Sequence, residues 1–155
     1  MAADRQTMMR VLNSVPQQHP FRFIDAIMEL DDEHIVGSYR FREDEYFYQG
    51  HFPGRPVTPG VILIETMAQT GVVAFGLYLS MTQKQGDVSE KLMTLFTLVE
   101  EVEFTGMVHP GERVIIRGHK DYFRMGSLKS KVSMERENGE PVSFGALAGR
   151  GILLK

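Results

Sequence analysis

The chain has 155 residues, of which 43% are hydrophobic and 24% charged, the proportions of one soluble globular domain rather than of a disordered or fibrous protein. A formal net charge of −3 supplies no basic surface for a phosphate backbone, so no nucleic-acid partner is expected. There is no cysteine, which excludes disulfides, thiolate metal sites and cysteine nucleophiles, and the N-terminal residues lack the apolar core of a secretory signal, so the protein is expected to be cytoplasmic.

Residues 5–14 read as a short amphipathic helix. Residues 21–29 and 34–41 carry β-branched and aromatic side chains on either side of the polar turn Asp31-Asp32-Glu33, and are predicted to form a two-stranded hairpin. Residues 43–58 contain Gly50, Pro53, Gly54 and Pro56, which interrupt both helix and ladder, so this stretch is expected as an ordered loop. Thr58-Pro59 has the chemistry of a helix start, with the Thr58 hydroxyl as N-cap and Pro59 at the first helical position. The helix is predicted from residue 59 to about 81.

Between residues 61 and 81 Glu65 is the only charge, and that length is enough to cross a bilayer. Glu65, Thr66, Gln69, Thr70 and Ser80 would then all enter hydrocarbon, so a buried helix is expected and no membrane span. Because the helix is apolar almost all round, it needs cover on several sides. Candidate strands follow it. Val102 and Phe104 alternate with Glu101 and Glu103, residues 114–123 form another, and Leu128, Val132 and Met134 alternate with Lys129, Lys131, Ser133 and Glu135. Asn138-Gly139 is a hairpin turn leading into residues 142–152. The expected fold class is α+β, a single domain over residues 1–155 in which an antiparallel sheet wraps one long central helix.

The richest stretch is Gly50-His51-Phe52-Pro53-Gly54-Arg55-Pro56-Val57-Thr58-Pro59-Gly60-Val61, followed by Glu65 and then Ala68-Gln69. It resembles the β-hydroxyacyl-ACP dehydratase family of type II fatty acid synthesis, whose motif has these residues at these spacings. His19-Pro20-Phe21 with Asp25, and Val108-His109-Pro110-Gly111-Glu112, are similar to two further segments of that family, so the resemblance covers most of the chain. Thr58 departs from it, standing where the family often has an apolar residue. The resemblance implies the hot dog fold, in agreement with the wrapped helix.

Dehydration of a β-hydroxyacyl thioester needs a base beside the α-carbon, an acid beside the β-hydroxyl, and donors for a carbonyl oxygen that becomes enolate-like. The resemblance makes His51 the base, and imidazole, with an ordinary pKa of about 6.5, is largely neutral at pH 7. A lone loop histidine is more often structural. The resemblance makes Glu65 the acid, and its place in an otherwise uncharged helix favours the protonated form through burial. Taken by itself, the carboxylate stands equally well as a partner of some strand or loop. Gly60 opens the helix, where free N–H groups and the positive dipole end suit an oxyanion, and with Val61 it is the expected thioester-binding element. It also serves the turn after Pro59. Gln69, one turn beyond Glu65, either orients the carboxyl or satisfies buried backbone groups.

Phe47, Tyr48 and Phe52 surround the histidine in sequence, and Met67, Phe75 and Met93 are candidates for an acyl tunnel, although Met and aromatic side chains are more often core. The histidines lack metal-ligand spacing, so no metal is expected, and the phosphopantetheine arm of the substrate's acyl carrier protein is the only prosthetic element implied. Arg113, Arg117 and Lys120 could attract an acidic protein. A six-stranded layer leaves part of such a helix bare, so at least a homodimer is expected. The resemblance adds that His51 and Glu65 of one site come from different subunits and that dimers of the family often assemble as trimers. The alternatives are a thioesterase on the same scaffold, a dehydratase that also isomerises its product, and a catalytically silent acyl-thioester-binding protein. Glutamate rather than aspartate at position 65 favours dehydration alone, and retention of His51 with Glu65 speaks against a silent protein.

Overall fold

A computed structural model describes residues 1–84 and 92–153. Helix α1 (Arg5–Ser14) is capped by Asp4, whose carboxylate accepts the Thr7 N–H at 2.8 Å, and it buries Val11 and Leu12. The strands are β1 (Ala26–Leu30), β2 (His34–Arg40), β3 (Leu92–Phe104), β4 (Arg113–Arg124), β5 (Ser127–Arg136) and β6 (Pro141–Leu153). They form one antiparallel six-stranded sheet in the order β1-β2-β4-β5-β6-β3. Two apolar clusters fill its concave side, one around Phe23, Phe41 and Met67, the other around Ile35, Phe75 and Leu77.

The central helix is continuous from Gly60 to Gln83, and 72% of its most apolar window is buried, so the sheet provides the cover that the uniform hydrophobicity demands. It is built from α2 (Gly60–Ala68), a π-helical stretch (Gln69–Ala74) and α3 (Phe75–Lys84). The wide turns fall where helix and sheet come closest. A β-carbon on Gly118 of β4 would lie 3.0 Å from the Gly71 α-carbon, so neither backbone has room for a side chain there. Ser130 of β5 donates its hydroxyl to the Gly71 carbonyl at 2.8 Å, giving a partner to a group in the altered helical ladder.

Three expectations need correction. Pro59, not Thr58, is the N-cap residue, and no side chain caps α2. The Thr58 hydroxyl is buried and shares a 2.7 Å hydrogen bond with the Tyr48 hydroxyl, which takes it away from the helix end. The first hairpin strand begins at Ala26 rather than at 21, because the backbone around Phe23 is bonded to a side chain instead of to a neighbouring strand. The third strand extends well before Val102, to Leu92.

Candidate active site

His51 follows a 3-10 turn (Tyr46–Gln49) and lies in a loop closed on itself: the His51 N–H donates to the Phe47 carbonyl at 3.1 Å, and the Val57 N–H to the His51 carbonyl at 2.9 Å. The Tyr48–Thr58 hydroxyl pair ties the turn to the start of α2, and burial pushes the Tyr48 phenol up to about 12. The imidazole Nδ1 lies 2.8 Å from the Val57 carbonyl oxygen. A carbonyl only accepts, so Nδ1 carries the hydrogen, and in the neutral tautomer this leaves the lone pair on Nε2. Phe52 stacks on the ring at 4.2 Å and 25°. The histidine is half-buried.

Glu65 sits in the second turn of α2, half-buried. Burial raises its pKa above the ordinary carboxylate range, and a hydrogen bond from Gln69 pulls it partly back. Gln69 is fully buried, and every end of its amide is engaged. Its Oε1 accepts the Phe23 N–H at 2.6 Å, and its Nε2 donates to the Phe21 carbonyl and to Glu65 Oε2, both at 2.9 Å. This glutamine thus hydrogen-bonds the carboxyl and two backbone groups at once. Because the Phe23 N–H needs an acceptor, the amide has one orientation, with its NH₂ toward Glu65. Oε2 then accepts from Gln69, and a proton on the carboxyl belongs on Oε1, facing away from the amide. Glu65, Ala68, Val72, Val73, Thr94, Leu95, Phe96 and Gly149 line a cavity of about 20 Å³.

At the N-terminus of α2, Pro59 accepts from Ile62 at 2.9 Å and Leu63 at 3.1 Å, while the Gly60 and Val61 N–H groups have no acceptor among the described residues. Val61 is exposed and Gly60 half-buried. Phe104, at the end of β3, covers Gly60 so closely that a β-carbon there would lie 3.1 Å from its ring Cζ. Two free amides at the positive end of a nine-residue helix are donors for a developing negative charge.

No hydrogen bond among the described residues joins His51 to Glu65, and His51 is not among the residues that line the Glu65 cavity. Met67 and Phe75 are core side chains at 0% exposure, and neither they nor Met93 line that cavity. Each member of the basic cluster has a carboxylate neighbour: Arg113 pairs with Glu137 at 3.4 Å, Arg117 with Glu135 at 3.1 Å and Lys120 with Glu33 at 3.4 Å. No group of three His, Asp or Glu side chains converges as a metal ligand set among the described residues. The Phe21 carbonyl, the Phe23 N–H and the Phe104 ring are parts of the site that sequence reasoning missed. The first two are backbone groups, which leave no mark on residue type, and Phe104 reaches Gly60 only through the fold.

Residues 15–136 match the FabA-like domain. The chain is 34% identical over 142 residues to the 3-hydroxyacyl-[acyl-carrier-protein] dehydratase FabZ of Roseiflexus sp., covering 91% of this chain and 93% of that protein. It is 38% identical over 109 residues to the enzyme of the same name from Syntrophobacter fumaroxidans, covering 70% and 69%. Among solved structures, the dehydratase heterocomplex ApeI:P from Xenorhabdus doucetiae superposes with a TM-score of 0.72 at 14% identity, over 92% of this chain and 90% of that one. A mutant thioesterase from Pseudomonas aeruginosa superposes with a TM-score of 0.62 at 13% identity, over 95% and 94%. The shared architecture is the hot dog fold.

Proposed function

The chain belongs to the FabA-like family, and from that premise we propose how it dehydrates 3-hydroxyacyl-ACP to trans-2-enoyl-ACP in fatty acid biosynthesis. His51 Nε2 takes a proton from the α-carbon while Glu65 Oε1 delivers its proton to the β-hydroxyl, which leaves as water. The α,β double bond forms from the C–H electron pair as the C–O bond breaks. The thioester oxygen, negative in the transition state, rests on the Gly60 N–H, with Val61 beside it. His51 ends protonated and Glu65 ionised, and proton exchange restores both. The chain works as one domain, needs no metal or organic cofactor, and meets an acyl carrier protein as the bearer of its substrate in the cytoplasm.

The observation that carries this reading is a half-buried Glu65 whose pKa is raised by burial and one of whose oxygens is occupied by Gln69, which leaves the other oxygen to carry and donate a proton. Incubation with a 3-hydroxyacyl-ACP, followed by mass spectrometry of the enoyl product, tests it. His51→Ala and Glu65→Ala should each slow turnover by about a hundredfold or more. Unchanged rates reject the roles, and release of free carrier thiol without enoyl product would instead mark a thioesterase.

In this reading the pairing of His51 with Glu65 is completed in a homodimer. β3 is a sheet edge with Leu95, Phe96, Leu98, Val99 and Phe104 exposed, and Leu95 and Phe96 also line the Glu65 cavity. A second copy docked on that edge buries the apolar row and brings its own histidine loop toward this carboxyl; trimers of such dimers are the further assembly the family suggests. Mixing inactive His51→Ala with inactive Glu65→Ala protein and allowing exchange should restore about a quarter of wild-type activity, since half the dimers are mixed and one of their two sites is intact. A site made within one chain regains nothing.

A further inference from the structure

One cation in the segment that holds Gln69 has no part in that scheme. Arg22 lies between Phe21 and Phe23, the two residues whose backbone grips Gln69. Along this stretch Phe23 enters the core at 0% exposure, while the Arg22 guanidinium reaches the end of α1. There Nη2 donates to the Leu12 carbonyl at 2.8 Å, and Nη1 to the carbonyls of Val15 at 3.3 Å and Gln17 at 3.4 Å. Every hydrogen bond that Arg22 makes among the described residues goes to a backbone carbonyl. The Leu12 carbonyl lies in the last turn of α1, at its negative pole, and those of Val15 and Gln17 follow the helix end, so a forked cation is well suited to hold all three.

We infer that Arg22 is a positioning residue for Glu65: by fastening its own segment to α1, it keeps the Phe21 carbonyl and the Phe23 N–H at the spacing that fixes the Gln69 amide and, through it, the carboxyl. The chain of contacts runs from the end of α1 through Arg22 to the backbone on either side of it, then to Gln69 and Glu65. Each link is a hydrogen bond or one peptide unit. The amide is two-faced. If the segment drifts and the Phe23 N–H withdraws, Gln69 is free to turn its carbonyl toward Glu65, where it would accept the proton meant for the substrate hydroxyl. The inference rests on Glu65 being the acid.

The test compares full-length wild type with Arg22→Met, which keeps most of the stem but no donor, and Arg22→Lys, which keeps the charge without the fork. On 3-hydroxyacyl-ACP, kcat of Arg22→Met should fall about tenfold with KM little changed. The alkaline limb of its kcat/KM profile should move, and Arg22→Lys should lie between the two. In ¹⁵N spectra the Gln69 side-chain amide, assigned by its absence in Gln69→Leu, should exchange slowly in wild type and quickly in Arg22→Met. A lower Tm with unchanged kcat, an unmoved alkaline limb and a still-protected Gln69 amide would reduce Arg22 to a staple on α1 and overturn the inference. Should Arg22→Met fail to fold, Arg22→Lys and Arg22→Gln carry the same comparison. A wild type without dehydratase activity defeats the functional reading instead, and the Gln69 signal still reports whether the clamp exists.

Discussion

The proposed base and the proposed acid are fixed by different means. The His51 ring is set by a main-chain oxygen, that of Val57, inside a loop closed by its own backbone hydrogen bonds. The Glu65 carboxyl is set by one side chain, Gln69, which is itself held by the backbone of another segment. A main-chain anchor does not depend on which side chain its residue carries. A side-chain anchor is lost with a single substitution, so the acid half should be fragile to mutation in its surroundings and the base half tolerant.

The sharpest way to expose the contrast is Gln69→Leu. It leaves the buried Phe23 N–H without a partner, which should cost about 1–3 kcal/mol in chemical denaturation, and it removes the donor to the partly buried Phe21 carbonyl. It also releases the carboxyl, and kcat should fall by about tenfold or more even in protein that remains folded. A Gln69→Leu enzyme with normal kcat would erase the distinction. Gly60→Ala should be milder, a loss of severalfold in kcat/KM, because the Phe104 ring 3.1 Å from the new β-carbon has to shift beside the amides proposed to bind the thioester.

A pH comparison isolates the acid. The folded state binds the Glu65 proton more tightly than the unfolded chain does, where a glutamate titrates near its ordinary value of about 4.3. That stabilisation is complete below the ordinary value and is lost as pH rises through the raised folded value. The Tm of Glu65→Gln should therefore improve relative to wild type between pH 4 and pH 8, by roughly 1–3 °C. Parallel curves would show that the carboxyl is as well solvated folded as unfolded. The smallest effect is expected at the base: Val57→Ala keeps the carbonyl that orients His51, and kcat should stay within about twofold.

The central helix was legible because a long stretch with one charge admits few other readings, and the loop before it was fixed by its prolines and glycines. The π-helical turns were not, since they depend on Gly71 meeting Gly118 across the fold, a contact between residues 47 apart that no local pattern encodes. The apolar alternation of Phe21 and Phe23 resembled a strand, yet its backbone went to Gln69, and a side-chain partner is invisible to periodicity. Thr58 followed the rule for helix caps but found Tyr48 first. In β3 the apolar residues Leu95, Phe96, Leu98 and Val99 stay exposed, so the run lacked the in-out alternation that betrays a half-buried strand. Position 65 and its neighbours were readable from the motif, whereas the means of holding them were not.

β3 changes character along its length. After Val99 come Glu100, Glu101 and Glu103, the ladder to β6 breaks between Glu100 and Glu103, and Glu101 adopts a φ of 50°. Bare sheet edges invite endless stacking of one chain on the next, and natural proteins resist this with charge and with kinks. Here the adhesive stretch and its brake share a single strand, so growth beyond one neighbour meets three carboxylates and a twisted backbone. Replacing those glutamates with valines should turn a dispersed preparation into a fibrous one without touching any reactive group.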